Sequence, residues 1–188
     1  MRVLCIGDSN TYGYDPRTYF GSRYPAEVRW TDRLDGYEVI NCGMNGLPVP
    51  YDSRPFTDLI RTYSPDLVVV MLGSNDLLEG ASAESTAVRM DGFLGVIGTA
   101  GARILLIAPP PMRLGDWVQS PGLIRESEKL GKNYRKLAEK KGILFADTES
   151  WGVDLLFDGV HFSPSGHTVF ARKLAEVLAE NKNSSLSQ

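Results

Sequence analysis

Apolar positions along this chain alternate between short uninterrupted runs and longer stretches with helical spacing. Residues 3–6, 38–40, 67–72, 104–108 and 143–146 are the short runs, rich in Val, Ile and Leu and each closed by Gly, Pro, Asn or Asp. Runs this short, without polar alternation, predict strands covered on both faces. Helical spacing is carried by residues 56–63, 83–100, 125–141 and 164–180. On the third of these, Leu130, Tyr134, Leu137 and Ala138 share one face and the Lys and Arg residues take the remainder, as on a solvated amphipathic helix. Ser82 and Ser163 are suited to cap the helices that follow them, and Pro164 suits a first helical position. Residues 181–188 are polar and predict a frayed end.

Strand–helix alternation implies a parallel sheet with helices on both sides, joined by right-handed crossovers. The expected fold is therefore α/β, a three-layer αβα sandwich of flavodoxin-like type around about five strands. No repeat, linker or low-complexity block interrupts residues 1–188, so they are read as a single domain. Residues 17–30 and 109–123 fit no element. They are rich in aromatics or Pro and lie where open α/β sheets bind ligands, which makes them candidate pocket walls.

Bulk properties narrow the function classes. The 188 residues can bury a core without disulfides or a structural metal. A net charge of -3 argues against a nucleic-acid surface. Cys5 and Cys42 form no CxxC pair and the chain has two histidines, so no zinc cluster is expected. The two thiols read as free and buried in a reducing compartment. The apolar run at the N-terminus is too short for a signal peptide and nothing approaches a membrane span, so a cytoplasmic location is expected.

A histidine base has two candidates. His167 falls inside the last predicted helix; His161 falls just before it, in Asp158-Gly159-Val160-His161. Gly159 allows a tight turn, and the spacing lets the Asp158 carboxylate fold back onto the imidazole, as the acid of a catalytic triad does. Taken alone, such a spacing also arises by chance. Ser9 closes the first predicted strand in Gly7-Asp8-Ser9, on the ligand face of a parallel sheet. A turn serine capping a helix is the competing reading. The GxSxG elbow of α/β-hydrolases is missing here. Gly43 and Asn75 stand just past the second and third strands, where a backbone N–H and an uncharged side-chain N–H could face a developing oxyanion. A positive-φ turn for Gly43 and a helix cap for Asn75 are the alternatives.

Together, Gly7-Asp8-Ser9, Gly43, Gly73-Ser74-Asn75-Asp76 and Asp158-Gly159-Val160-His161 resemble, in order, the four blocks of the SGNH (GDSL-type) hydrolases. The segments from Gly7 to Tyr14 and Val28-Arg29-Trp30 look like the arylesterase/acyltransferase branch. Asn10 departs from the family motif, which usually has Leu there, and bears on pocket shape. The resemblance implies an esterase or acyltransferase acting on small carboxylic esters without cofactor or metal. It implies Ser9 as nucleophile, His161 as base, Asp158 as its orienting acid, and Ser9, Gly43 and Asn75 as oxyanion donors. Some members form ring-like oligomers, so a homo-oligomer is a candidate assembly. A carbohydrate deacetylase would use the same machinery, and a non-catalytic binding module could keep the fold.

Asp8, Tyr12, Trp30, Arg54 and Val160 are the candidate substrate contacts, Arg54 with a surface ion pair as its alternative. The aromatic group Tyr12, Tyr14, Tyr19, Phe20, Tyr24 and Trp30 is open between pocket, subunit interface and core. Gly92, Gly95 and Gly98 follow no strand, so they are read as close helix packing and not as a nucleotide fingerprint.

Overall fold

In the computed structural model, which describes residues 1–18 and 20–184, side chains of 182–184 apart, five parallel strands form the central sheet in the order β4-β1-β5-β6-β7. The strands are β1 (Arg2–Gly7), β4 (Glu38–Gly43), β5 (Leu67–Met71), β6 (Arg103–Ala108) and β7 (Leu144–Asp147). A two-stranded hairpin, β2 (Tyr14–Asp15) with β3 (Ser22–Arg23), sits apart from the sheet. The helices are α1 (Ser9–Tyr12), α2 (Arg54–Tyr63), α3 (Ser74–Leu78), α4 (Ala83–Ile97), α5 (Pro121–Lys141) and α6 (Pro164–Ser184). Tyr19 and the end of the expected frayed tail, residues 185–188, lie outside the described residues; residues 181–184 continue α6.

Strand alternation sorts the core into two layers. Leu4, Ile6, Val68, Val70 and Leu106 pack with Phe56 and Ile60 of α2, Met90 and Phe93 of α4, and Leu130 and Tyr134 of α5. Val3, Cys5, Val69, Leu105 and Ile107 pack on the opposite face with Trp30 and with Phe170, Leu174 and Leu178 of α6. This is the expected αβα sandwich. Cys5 pairs in register with Asn41 and Cys42 with Ile6, so the two free thiols belong to opposite faces of the sheet. Among the described residues, no helix is long and apolar enough to cross a membrane.

Several local differences have physical causes. Helix α5 starts at Pro121, four residues before the expected 125, because Ser120 caps it and Pro121 supplies a preset first turn. Helix α4 ends at Ile97 and residues Gly98–Ala100 tighten into a 3-10 turn. The close packing expected at Gly92, Gly95 and Gly98 is not found: a methyl group on Gly92 would meet nothing within 4 Å, and those on Gly95 and Gly98 only side-chain ends at ordinary contact distance.

His167, in α6, is fully buried among Tyr24 and Phe162, and its Nδ1 accepts from the Trp30 N–H at 3.4 Å. Burial, with the Arg29 and Arg33 charges, holds its pKa down at about 3. The unfolded imidazole titrates near ~6.5, so this neutral histidine stabilises the fold fully above that pH. The stabilisation is lost as pH falls from ~6.5 toward 3, at about 1.4 kcal/mol per pH unit. Asp8, pushed up to about 6 by burial, acts with the opposite sign, but it is common to wild type and a His167→Asn variant. Urea unfolding of the two proteins across this range should therefore show wild type losing its advantage with that slope as the solution is acidified. A difference independent of pH would mean that folding does not depress this histidine.

Candidate active site

Strand β1 ends at Gly7 and the chain turns at once into the single-turn helix α1. Asp8 caps it, accepting from the Asn10 N–H at 3.0 Å, and Gly13 closes it in the left-handed region. Ser9 is thereby held at the carboxyl edge of the sheet, 6% exposed. Its backbone N–H, at the helix start, donates to no group among the described residues.

On the far side of the sequence, residues 154–163 form a tight loop before α6. Asp158 Oδ1 accepts from the N–H groups of Val160 and His161, both at 2.9 Å, while Oδ2 faces His161 Nδ1 at 2.7 Å. Gly159 has φ +82°, a conformation that L side chains rarely adopt. Burial opposes the charge on Asp158, but the hydrogen bonds from His161 and the two backbone N–H groups outweigh it and hold the carboxyl below the usual range. A carboxylate on Nδ1 puts the imidazole proton there and leaves Nε2 as an acceptor. That Nε2 lies 3.0 Å from Ser9 Oγ. Ser9, His161 and Asp158 thus form one continuous hydrogen-bonded chain that can take a proton from the serine hydroxyl.

The irregular residues 109–120 brace this turn through their backbone. Arg113 N donates to Gly159 O at 3.0 Å, Asp116 N to Phe157 O at 3.1 Å and Trp117 N to Asp158 O at 3.1 Å. Gly115 lies so close to the Asp158–Gly159 peptide that a side chain there would collide with it. The Trp117 ring meets His161 edge-on at 4.9 Å, and Tyr14, from β2, flanks the same imidazole at 4.9 Å. Of the two stretches read as pocket walls, residues 109–123 border the base through Trp117, whereas Tyr14 precedes the other stretch, residues 17–30.

The expected oxyanion donors fare differently. Asn75, in the first turn of α3, donates from Nδ2 to Leu47 O at 3.1 Å, which leaves its second amide hydrogen available. Gly43 does not fit its expected role, because its N–H is already donated to Asn41 Oδ1 at 2.9 Å. Gly43 is glycine for packing: a side chain there would strike the backbone of Tyr12. Three residues on, Gly46 has a backbone N–H that donates to no group among the described residues, and open space around its Cα. The turn holding it is tied to β1 by Met44 N–H to Gly7 O at 3.0 Å and to Asn75 by the bond to Leu47. Sequence reasoning missed Gly46; the glycine in the turn beyond the strand was the available signal.

Three of the expected substrate contacts, Trp30, Asp8 and Val160, need correction, and Arg54 takes its stated alternative. Trp30 is wholly buried, its indole N–H bound to Asn10 O at 2.9 Å and its ring on Phe170. Arg54 forms an exposed ion pair with Asp52 at 2.8 Å. The Asp8 carboxylate is 2% exposed and serves as a helix cap. Val160 turns its side chain into the core, and Tyr12 carries the Arg23 guanidinium on its ring at 4.6 Å. Of the aromatic group, Tyr24 also belongs to the core, whereas Phe20 is 93% exposed. A cleft of about 630 Å³ between α4 and α5 contains none of Ser9, Asp158 and His161, and its Lys129 and Lys140 are paired with Glu126 and Asp91. Among the described residues, no three His, Cys, Asp or Glu side chains gather as a metal site.

The GDSL-like Lipase/Acylhydrolase family matches residues 5–169. An acetylxylan esterase of Xylanibacter ruminicola is 26% identical over 95% of this chain, which spans 42% of that protein's length. An arylesterase of Vibrio mimicus is 25% identical, over 96% of this chain and 89% of its own. A solved structure from Agrobacterium tumefaciens C58, assigned as an arylesterase, superposes with a TM-score of 0.85 at 32% identity, covering 95% of this chain and 98% of that one.

Proposed function

We propose that this chain, which belongs to the GDSL-like lipase/acylhydrolase family of ester-hydrolysing enzymes, cleaves esters of small carboxylic acids through an acyl-enzyme on Ser9. The observation that carries this reading is the unbroken contact line Ser9 Oγ–His161 Nε2 at 3.0 Å and His161 Nδ1–Asp158 Oδ2 at 2.7 Å. Ser9 Oγ attacks the ester carbonyl as His161 Nε2 takes its proton, and Asp158 stabilises the imidazolium. The oxyanion is received by the N–H groups of Ser9 and Gly46 and by the Asn75 amide. Collapse expels the alcohol with the proton from His161, and water or a second alcohol then repeats the sequence on the acyl group. Because His161 protonates the leaving oxygen, Tyr14 and Trp117 border the alcohol side of the ester.

A fluorophosphonate probe tests this directly: wild type should be labelled, with the adduct mapped to Ser9, and p-nitrophenyl acetate should give steady release of p-nitrophenol. Folded protein that takes no label would favour a binding module. Loss of one oxyanion donor should be visible separately. Asn75→Ala is expected to lower kcat by about 10²–10³ with the fold retained; unchanged kcat would remove Asn75 from the role.

A carbohydrate deacetylase is the second reading. Trp117, beside His161 and 51% exposed, offers a ring face on which a sugar could stack, and the Xylanibacter relative is an acetylxylan esterase. Relative kcat/KM on acetylated sugars and p-nitrophenyl acetate separates the two.

A further inference from the structure

Asn10 follows Ser9, yet its side chain points away from a pocket and into the turn that carries His161. Its Nδ2 donates to Val160 O at 3.1 Å, and its Oδ1 accepts from Phe162 N–H at 2.9 Å, in a position 4% exposed. In extended backbone, the carbonyl before a residue and the N–H after it point the same way, and a neighbouring strand usually satisfies both. Here one primary amide takes the strand's place and grips the main chain on both sides of His161.

The amide itself is anchored. Asn10 N donates to Asp8 Oδ1 at 3.0 Å, and Asn10 O receives the indole N–H of the fully buried Trp30 at 2.9 Å. The backbone bonds from residues 113–117 hold the Asp158 side of the turn but do not reach the helix that bears the serine. Asn10 does reach it, because it is part of that helix.

We propose that Asn10 is a positioning residue that sets the Ser9–His161 separation through the peptide groups flanking His161, an inference that rests on the acyl-enzyme reading above. Leucine, usual in the family motif at this place, would fill the space but make neither bond. In this chain it would leave Val160 C=O and Phe162 N–H without these partners.

Two variants test the proposal. Asn10→Leu should fold, keep KM within about twofold and lose about 10–10²-fold in kcat on p-nitrophenyl acetate, the scale expected for misplacing a reacting pair. Asn10→Asp reproduces donor and acceptor only while its carboxyl is protonated; once ionised it repels Val160 O. Its kcat relative to wild type should therefore be highest near pH 5 and fall toward about pH 9. This ratio decides the matter if the leucine variant does not fold. A role confined to stability would lower the melting temperature of both variants while leaving kcat per folded molecule and the pH ratio unchanged, and that result overturns the proposal. Wild type that takes no fluorophosphonate on Ser9 overturns the acyl-enzyme reading and this inference with it. Labelled wild type with indifferent Asn10 variants overturns this inference alone.

Discussion

Alanine in place of Ser9 is expected to reduce kcat on p-nitrophenyl acetate by about 10⁵–10⁶, while KM and melting temperature stay near wild type. The hydroxyl makes one side-chain hydrogen bond, to His161 Nε2, and sits against the sheet edge where a methyl group fits without rearrangement. What disappears, on the proposed mechanism, is the atom that would form the acyl bond. What remains are the N–H groups of Ala at position 9 and of Gly46 and the Asn75 amide, which should still polarise a bound ester and leave about 10³-fold catalysis over water. Steady-state rates, with fluorophosphonate labelling of the same preparation, measure both. Residual kcat within tenfold of wild type would mean that His161 activates water directly and that no acyl-enzyme forms.

Asparagine at position 158 is expected to cost about 10⁴ in kcat by a different route. The asparagine carbonyl can still accept from the N–H groups of Val160 and His161, so the turn should keep its shape. Its amide nitrogen then faces His161 Nδ1 across 2.7 Å as a donor. That contact favours the tautomer with the proton on Nε2, which presents a donor to Ser9 and cannot take the serine proton. The negative charge that would stabilise the imidazolium is lost as well. Imidazole nitrogen chemical shifts should report the exchanged tautomer, and the melting temperature should change little. A kcat loss under tenfold would show that the tautomer is set by something other than Asp158.

The parts of this molecule that were readable in the letters are those where local chemistry and long-range position coincide. Strands β1, β5 and β6 are buried on both faces, so their apolar runs are unbroken and their ends well marked. Edge strand β4 runs to Gly43, beyond the apolar run that stopped at Ile40, because an edge strand tolerates polar and small residues such as Asn41. Ser9, Asp158, His161 and Asn75 could be singled out because each is a reactive or hydrogen-bonding type at a strand end or before a helix. Gly43 and Gly46 could not be told apart, since which N–H is free depends on the Asn41 side chain across the turn. Trp30 and Trp117 present the same problem. Both lie outside the periodic runs of the sequence, but the first inserts under α6 and the second against His161, and periodicity carries no information on either docking. Helices α1 and α3, of four and five residues, are too short to show any period at all.

The hydrogen bond from Ser9 to His161 spans 152 positions of chain. A ribosome therefore adds the serine long before the imidazole, and the two can meet only after the strands between them in sequence have assembled into the sheet. Until then, on the proposed mechanism, the serine has no base to take its proton. Any event that separates these two ends of the fold would undo the contact, so on the same reading ester turnover doubles as a gauge of whether the whole sandwich is assembled.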